Sequence, residues 1–256
     1  MAKITTITNP LTGQPAQVDQ LDHTAQQIDD GLNIARGVSN PNLLDNWYFG
    51  NPVNQRGQTS YTGTGYGIDR WKATNSNTTV VISDGFINLS GNNAVPYIRQ
   101  VFDNPSRLFG QVVTLSALLQ DGTLKSATSK LPLSLPSANT LWCNIADVAD
   151  LLGTSSYLSA RIKAKSGGSN NVVAIKLELG SQQTLAHQDA DSNWVLNEIP
   201  DYGEQLARCQ RYFQLYSSAD LRPAKAVDCR PTMRTDPSQG TIVIGSTTYY
   251  YNIADL

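Results

Sequence analysis

Val172-Val173-Ala174-Ile175-Lys176-Leu177-Glu178-Leu179-Gly180 says more about the fold than any other run of the chain. β-branched and apolar residues fill its first half, and the segment reads as a strand that closes on Leu-Glu-Leu-Gly. A polar turn comes next and leads through Trp194. A short helix is then expected after Pro200-Asp201-Tyr202, from Glu204 to Leu215, carrying the aromatic pair Tyr212-Phe213. Glu204 in the first turn suits the positive end of the helix dipole.

Outward from this stretch the chain reads as short β signals. Tyr157 to Ala164 alternates strictly, and Gly167-Gly168-Ser169-Asn170-Asn171 turns the chain into that strand. Thr78 to Ile82 and Phe86 to Leu89 flank Asp84-Gly85, a strong hairpin signal. Pro96 to Phe102 alternates like a half-buried strand, and Gln111 to Leu119 is apolar enough for a central one. Leu131-Pro132-Leu133-Ser134-Leu135-Pro136 suits a sheet edge. Asp147 to Leu152 reads as a short helical connection. Thr241 to Ile244 and Thr247 to Ile253 are further strands, the second holding three consecutive tyrosines. Many short strands with Gly, Asn and Pro turns and no βαβ rhythm predict a mainly β protein built on an antiparallel sandwich.

The N-terminal region has a different texture. Val18, Leu21, Ala25, Ile28, Leu32 and Ala35 recur at alternating intervals of three and four residues, with Asp and Gln between them. That heptad seam predicts a short helix, closed by Gly37. It serves either as an amphipathic helix packed on its own domain or as a coiled coil joining identical chains. At this length a seam is too short to hold alone, so association would need support from the adjoining domain. The expected division is residues 1–38 as an attachment segment with an oligomerising helix, 40–200 as the sandwich, and 201–256 as a short helix with closing strands.

With 256 residues and a formal charge of −2, the chain lacks the basic balance usual for nucleic-acid binding. No apolar run is long enough for a membrane span. The N-terminus lacks the apolar core of a signal peptide, which predicts synthesis in a cytoplasm. Three sparse cysteines, Cys143, Cys209 and Cys229, read as reduced thiols.

Catalytic signatures are lacking. The two histidines are His23, on the polar side of the seam helix, and His187, expected in a loop. Neither joins a Ser or Cys in a nucleophile pattern, so no enzyme is expected. Asp189-Ala190-Asp191-Ser192-Asn193 begins like a calcium loop but then puts Trp194 where glycine is required, so no metal is expected. Gly63-Thr64-Gly65-Tyr66-Gly67 lacks the GK[ST] ending of a phosphate loop and reads as a flexible loop. No cofactor is implied.

Aromatic residues offer more. Trp47, Tyr48, Phe49, Tyr61, Tyr66 and Trp71 crowd one span together with amides. Sugars stack their C–H faces on such rings while amides take the hydroxyls. The two tryptophans are expected in the core, while Arg56 either forms a structural pair with Asp69 or serves the sugar. Tyr61 and Tyr66, among Thr and Gly, are expected exposed in a loop, where function concentrates. Tyr61, Tyr66, Asn54 and Arg56 are the candidate glycan-binding residues.

The run from Lys176-Leu177-Glu178-Leu179-Gly180 to Tyr212-Phe213 resembles the closing segment of bacteriophage tail-fibre and receptor-binding appendage proteins. Asn42-Leu43-Leu44-Asp45-Asn46-Trp47, with Asn54-Gln55-Arg56-Gly57 and Tyr66-Gly67-Ile68-Asp69-Arg70-Trp71, resembles the opening of the same domain. This resemblance implies a jelly-roll, carbohydrate-binding-module-like body and a homotrimer. It also implies an N-terminus that meets other virion proteins, a virion location and binding to a host surface glycan. Three other readings stay open: a soluble carbohydrate-binding module, a capsid-decorating protein without receptor function, and a glycan depolymerase, which would call for a longer, repetitive chain.

Overall fold

The computed structural model describes residues 39–92 and 94–254. The N-terminal helix and its seam, Val18 to Ala35, lie outside the described residues, as does His23. Asn40–Leu256 forms one compact unit, so the sandwich and the segment after residue 200 belong to the same body.

Two six-stranded antiparallel sheets make the sandwich. One runs, in spatial order, β1 (Ser60–Thr62), β4 (Thr78–Ser83), β5 (Phe86–Gly91), β12 (Ser169–Leu179), β7 (Val112–Leu119) and β8 (Leu124–Lys130). The other runs β2 (Gly65–Tyr66), β3 (Lys72–Ala73), β6 (Tyr97–Val101), β11 (Leu158–Lys163), β10 (Ala149–Gly153) and β9 (Thr140–Ile145). A hairpin, β13 (Ala186–Gln188) with β14 (Trp194–Leu196), comes after β12. The helix α1 (Tyr202–Gln210) then leads into a three-stranded sheet in which β17 (Thr247–Ile253) lies between β15 (Phe213–Tyr216) and β16 (Ser238–Ile244).

The core explains the strands. Leu158, Ala160 and Ile162 alternate inward from β11, and Leu115 and Ile175 do the same from β7 and β12. Asp84-Gly85 forms the two-residue turn between Ser83 and Phe86, with Gly85 in the left-handed region at φ 86°.

β12 organises the larger sheet. β7 flanks it on one side. On the other, β5 pairs with Ser169 to Val172. Beyond that point the opening block replaces β5: Phe49 N–H donates to Val173 O at 2.8 Å, Ile175 N–H to Trp47 O at 3.1 Å and Leu43 N–H to Leu177 O at 2.9 Å. The two blocks that frame the domain in sequence are thus hydrogen-bonded neighbours.

Both faces of β12 are buried. Lys176 and Glu178 point away from the core and are sealed by residues 184–198. Lys176 Nζ lies 3.6 Å from Glu198 and 4.0 Å from Glu178, and donates to Thr184 O at 3.3 Å. Glu178 accepts from the Thr184 N–H at 2.7 Å and from its hydroxyl.

Several expectations are corrected. Leu131 to Pro136 is an irregular connection and not an edge strand: its prolines cannot donate to a ladder, and Leu131 is buried while Leu133 stands in solvent. Asp147 to Leu152 is not helical; a turn at Asp147, at φ 58°, feeds β10, whose residues are all buried. The C-terminal helix stops at Gln210 instead of Leu215, because Phe213 to Tyr216 pair with β17. His187 lies on β13, and Tyr66 on β2.

Candidate functional site

The site is built where the end of the sandwich meets the C-terminal sheet. A tight turn comes first: Gly57 N–H donates to Asn54 O at 3.1 Å, with Gly57 at φ 71°. The Asn54 side chain ties this turn to the next residues of the chain. Its amide donates to Gln58 O at 2.8 Å, and its oxygen accepts from the Tyr61 hydroxyl. That hydroxyl also accepts the Gln58 N–H at 3.1 Å. Burial raises the Tyr61 pKa, so the phenol keeps its proton for Asn54 at neutral pH.

Arg56 forms the floor. Its guanidinium pairs with Asp69 at 2.6 Å and lies 3.9 Å over the Phe213 ring and 5.4 Å from the centre of the Tyr66 ring. Asp69 is almost wholly buried, and burial pushes its pKa up, while Arg56 and the Gln55 N–H (3.0 Å) pull it down. A buried ion pair stacked between two rings is a structural part.

The opposite wall comes from the C-terminal sheet. Phe213, Tyr251 and Ile242 share one of its faces, as the register of β15, β17 and β16 requires. Tyr251 faces Gly240, where a Cβ would come within 2.4 Å of the phenol ring, so the missing side chain lets the ring lie across the hairpin. Phe213 and Tyr251 pack at a 36° tilt with centroids 5.4 Å apart. Between these walls runs a groove of about 320 Å³ lined by Arg56, Gln58, Tyr61, Tyr66, Tyr251 and Ile242.

Of the four sequence candidates, Arg56, Tyr61 and Tyr66 line the groove, and Asn54 supports it from behind. The two tyrosines are half-buried, not fully exposed as expected for a loop, since each belongs to a short strand. Trp47 and Trp71 are core residues, with Trp71 Nε1–H donating to Asn46 O at 2.9 Å. Sequence reasoning missed Tyr251, Phe213, Gln58 and Ile242. The alternation of Tyr249, Tyr251 and Ile253 put three large side chains on one face, but nothing local said which wall that face would meet.

Among the described residues, no group of three His, Cys, Asp or Glu side chains could hold a metal ion. Asp189, at the β13–β14 turn, instead accepts from the N–H groups of Asn193 (2.8 Å) and Asp191 (3.0 Å), which lower its pKa. All three cysteines are buried and free. No helix among the described residues is long and apolar enough to cross a membrane.

The groove thus offers aromatic faces, amides and hydroxyls, with the Arg56 cation already paired. Comparison with protein-family models, curated proteins and solved structures found no match to the chain.

Proposed function

We propose that this chain is a structural and adhesive virion appendage, of the tail-fibre or head-fibre kind, that assembles as a homo-oligomer and binds a host surface glycan. The observation that carries the glycan part is the groove in which Tyr61, Tyr66 and Tyr251 converge with Gln58. Rings supply stacking surface for C–H faces, and a few placed polar groups fix orientation. The appendage part rests on the sequence resemblance.

We read the body as jelly-roll-like because β5 pairs with β12 and β6 with β11, nesting one pairing inside the other at the centres of the two sheets. Inside that nest β7–β8 and β9–β10 are hairpins. Trimerisation is assigned to the N-terminal seam, and attachment to other virion proteins to residues 1–38.

The test is a printed array of bacterial surface oligosaccharides probed with the whole chain, alongside its solution mass by light scattering. Retention on a defined glycan set that Tyr66→Ala abolishes, with a mass near three times 27.8 kDa, supports the reading. No retention on any glycan overturns the adhesive role and favours a capsid-decorating protein. Retention by a monomer favours a soluble sugar-binding module.

A further inference from the structure

Behind the groove lies a second cavity, of about 170 Å³, that shares Gln58, Tyr61 and Tyr66 with it. The two cavities differ in chemistry. The inner one has an apolar floor of Ile68, Trp71 and Val80, all core residues. Thr62, Gly63, Thr64 and Gly65 also line it. Gly63 and Gly65 sit at φ 94° and 128°, and the space where a side chain would stand is open at both. The two glycines therefore leave the cavity open where they line it, and the Gly63 N–H there already donates to Thr78 O at 2.9 Å.

We propose that the site takes sugars bearing an acetamido group, with that substituent entering the inner cavity while the ring stacks in the groove. An acetamido group is a secondary amide ending in a methyl. Its methyl matches the Ile68, Val80 and Trp71 side chains, and its polar amide matches the Gln58, Thr62 and Thr64 part of the same lining. A hydroxyl at the same carbon would leave that apolar lining unfilled. Charge agrees: Arg56 is neutralised by Asp69, so it gives an acidic sugar no advantage. This inference rests on the groove being a sugar site.

Saturation-transfer NMR on the whole chain tests it, with N-acetylglucosamine and N-acetylgalactosamine against glucose and galactose. The strongest transfer is expected at the acetyl methyl. The acetamido sugars should bind about tenfold more tightly, the usual worth of one apolar group in a fitted pocket. Ala73→Val, which narrows the inner cavity, should reduce that ratio; the wild-type comparison decides the matter even if this variant folds poorly. Equal binding of acetamido and plain sugars, or transfer confined to ring protons, overturns the acetamido assignment and leaves the sugar groove standing. Transfer to none of these sugars overturns both.

Discussion

The guanidinium of Arg70 lies 3.4 Å above the centre of the Tyr212 ring, and this contact fastens the C-terminal segment to the sandwich. Arg70 is buried, sits at φ 72°, and pairs with Asp45 at 3.0 Å. Arg208 of α1 approaches the same carboxylate at 2.7 Å, and the Tyr212 hydroxyl donates to Asp103 at 2.6 Å. Arg70→Leu removes one partner from a buried pair and should cost about 3 kcal/mol in urea unfolding. Tyr212→Phe keeps the ring under the guanidinium and should cost about 1 kcal/mol, the worth of one hydrogen bond. Equal losses for the two would mean that the Arg70 ion pair and stacking together contribute no more than one hydrogen bond.

Asn46 is a second fastening point. At φ 51° its amide donates to Val53 O and Asp69 O, both at 2.8 Å, while its side-chain oxygen accepts the Val53 N–H at 2.7 Å. Its own N–H donates to Gln205 of α1 at 2.7 Å. Asn46→Asp preserves shape but turns two donations into two oxygen–oxygen repulsions. A loss of at least about 2 kcal/mol is expected, together with faster proteolysis after residue 200.

Lys176 and Glu178 test the seal over β12. Lys176→Met leaves Glu178 buried without its cation and should destabilise by about 3 kcal/mol. Adding Glu178→Gln to that variant should recover part of the loss, because no uncompensated buried charge remains. A double-mutant cycle with no coupling between the positions would show that the two charges do not interact.

Gly67 shapes the groove by what it lacks. A Cβ there would stand 2.8 Å from Tyr61 Cγ, so Gly67→Ala must move the ring. Glycan retention should fall about tenfold or more, while thermal stability drops only by the ~1–2 kcal/mol of mild overpacking. Unchanged retention would place the sugar contact elsewhere.

Stability should decline at alkaline pH. Burial raises the Cys143 thiol from 9.0 to about 11 and moves Cys209 and Tyr212 the same way. In the unfolded chain these groups lose protons first, so above pH 9.0 the unfolded state binds fewer protons and is favoured as pH rises. Urea midpoints should be level below that pH and fall from there to about 11. Alkylation of the three thiols near neutral pH should be slow until denaturant is added.

Much of the sandwich was legible from period-two patterning. Tyr157 to Ala164, Gln111 to Leu119 and the Asp84-Gly85 hairpin each carry local signals strong enough to name a strand or turn. Asp147 to Leu152 misled because the strand within it is buried on both faces, and a fully buried short segment has no period to read. Leu131 to Pro136 misled because apolar residues alone do not supply ladder donors.

The antiparallel β class and the core positions of Trp47 and Trp71 were readable in the chain's own order, since each rests on patterning or on residue chemistry within a short span. The burial of Lys176 and Glu178 beneath the segment carrying β13 and β14 came from long-range packing. The same holds for the pairing of Leu43 to Phe49 with β12 and for Tyr251 facing Tyr61 and Tyr66 across a groove. The last two contacts join residues far apart in the chain. Such contacts are selected by the global packing of the sheets, and local propensity carries no record of them.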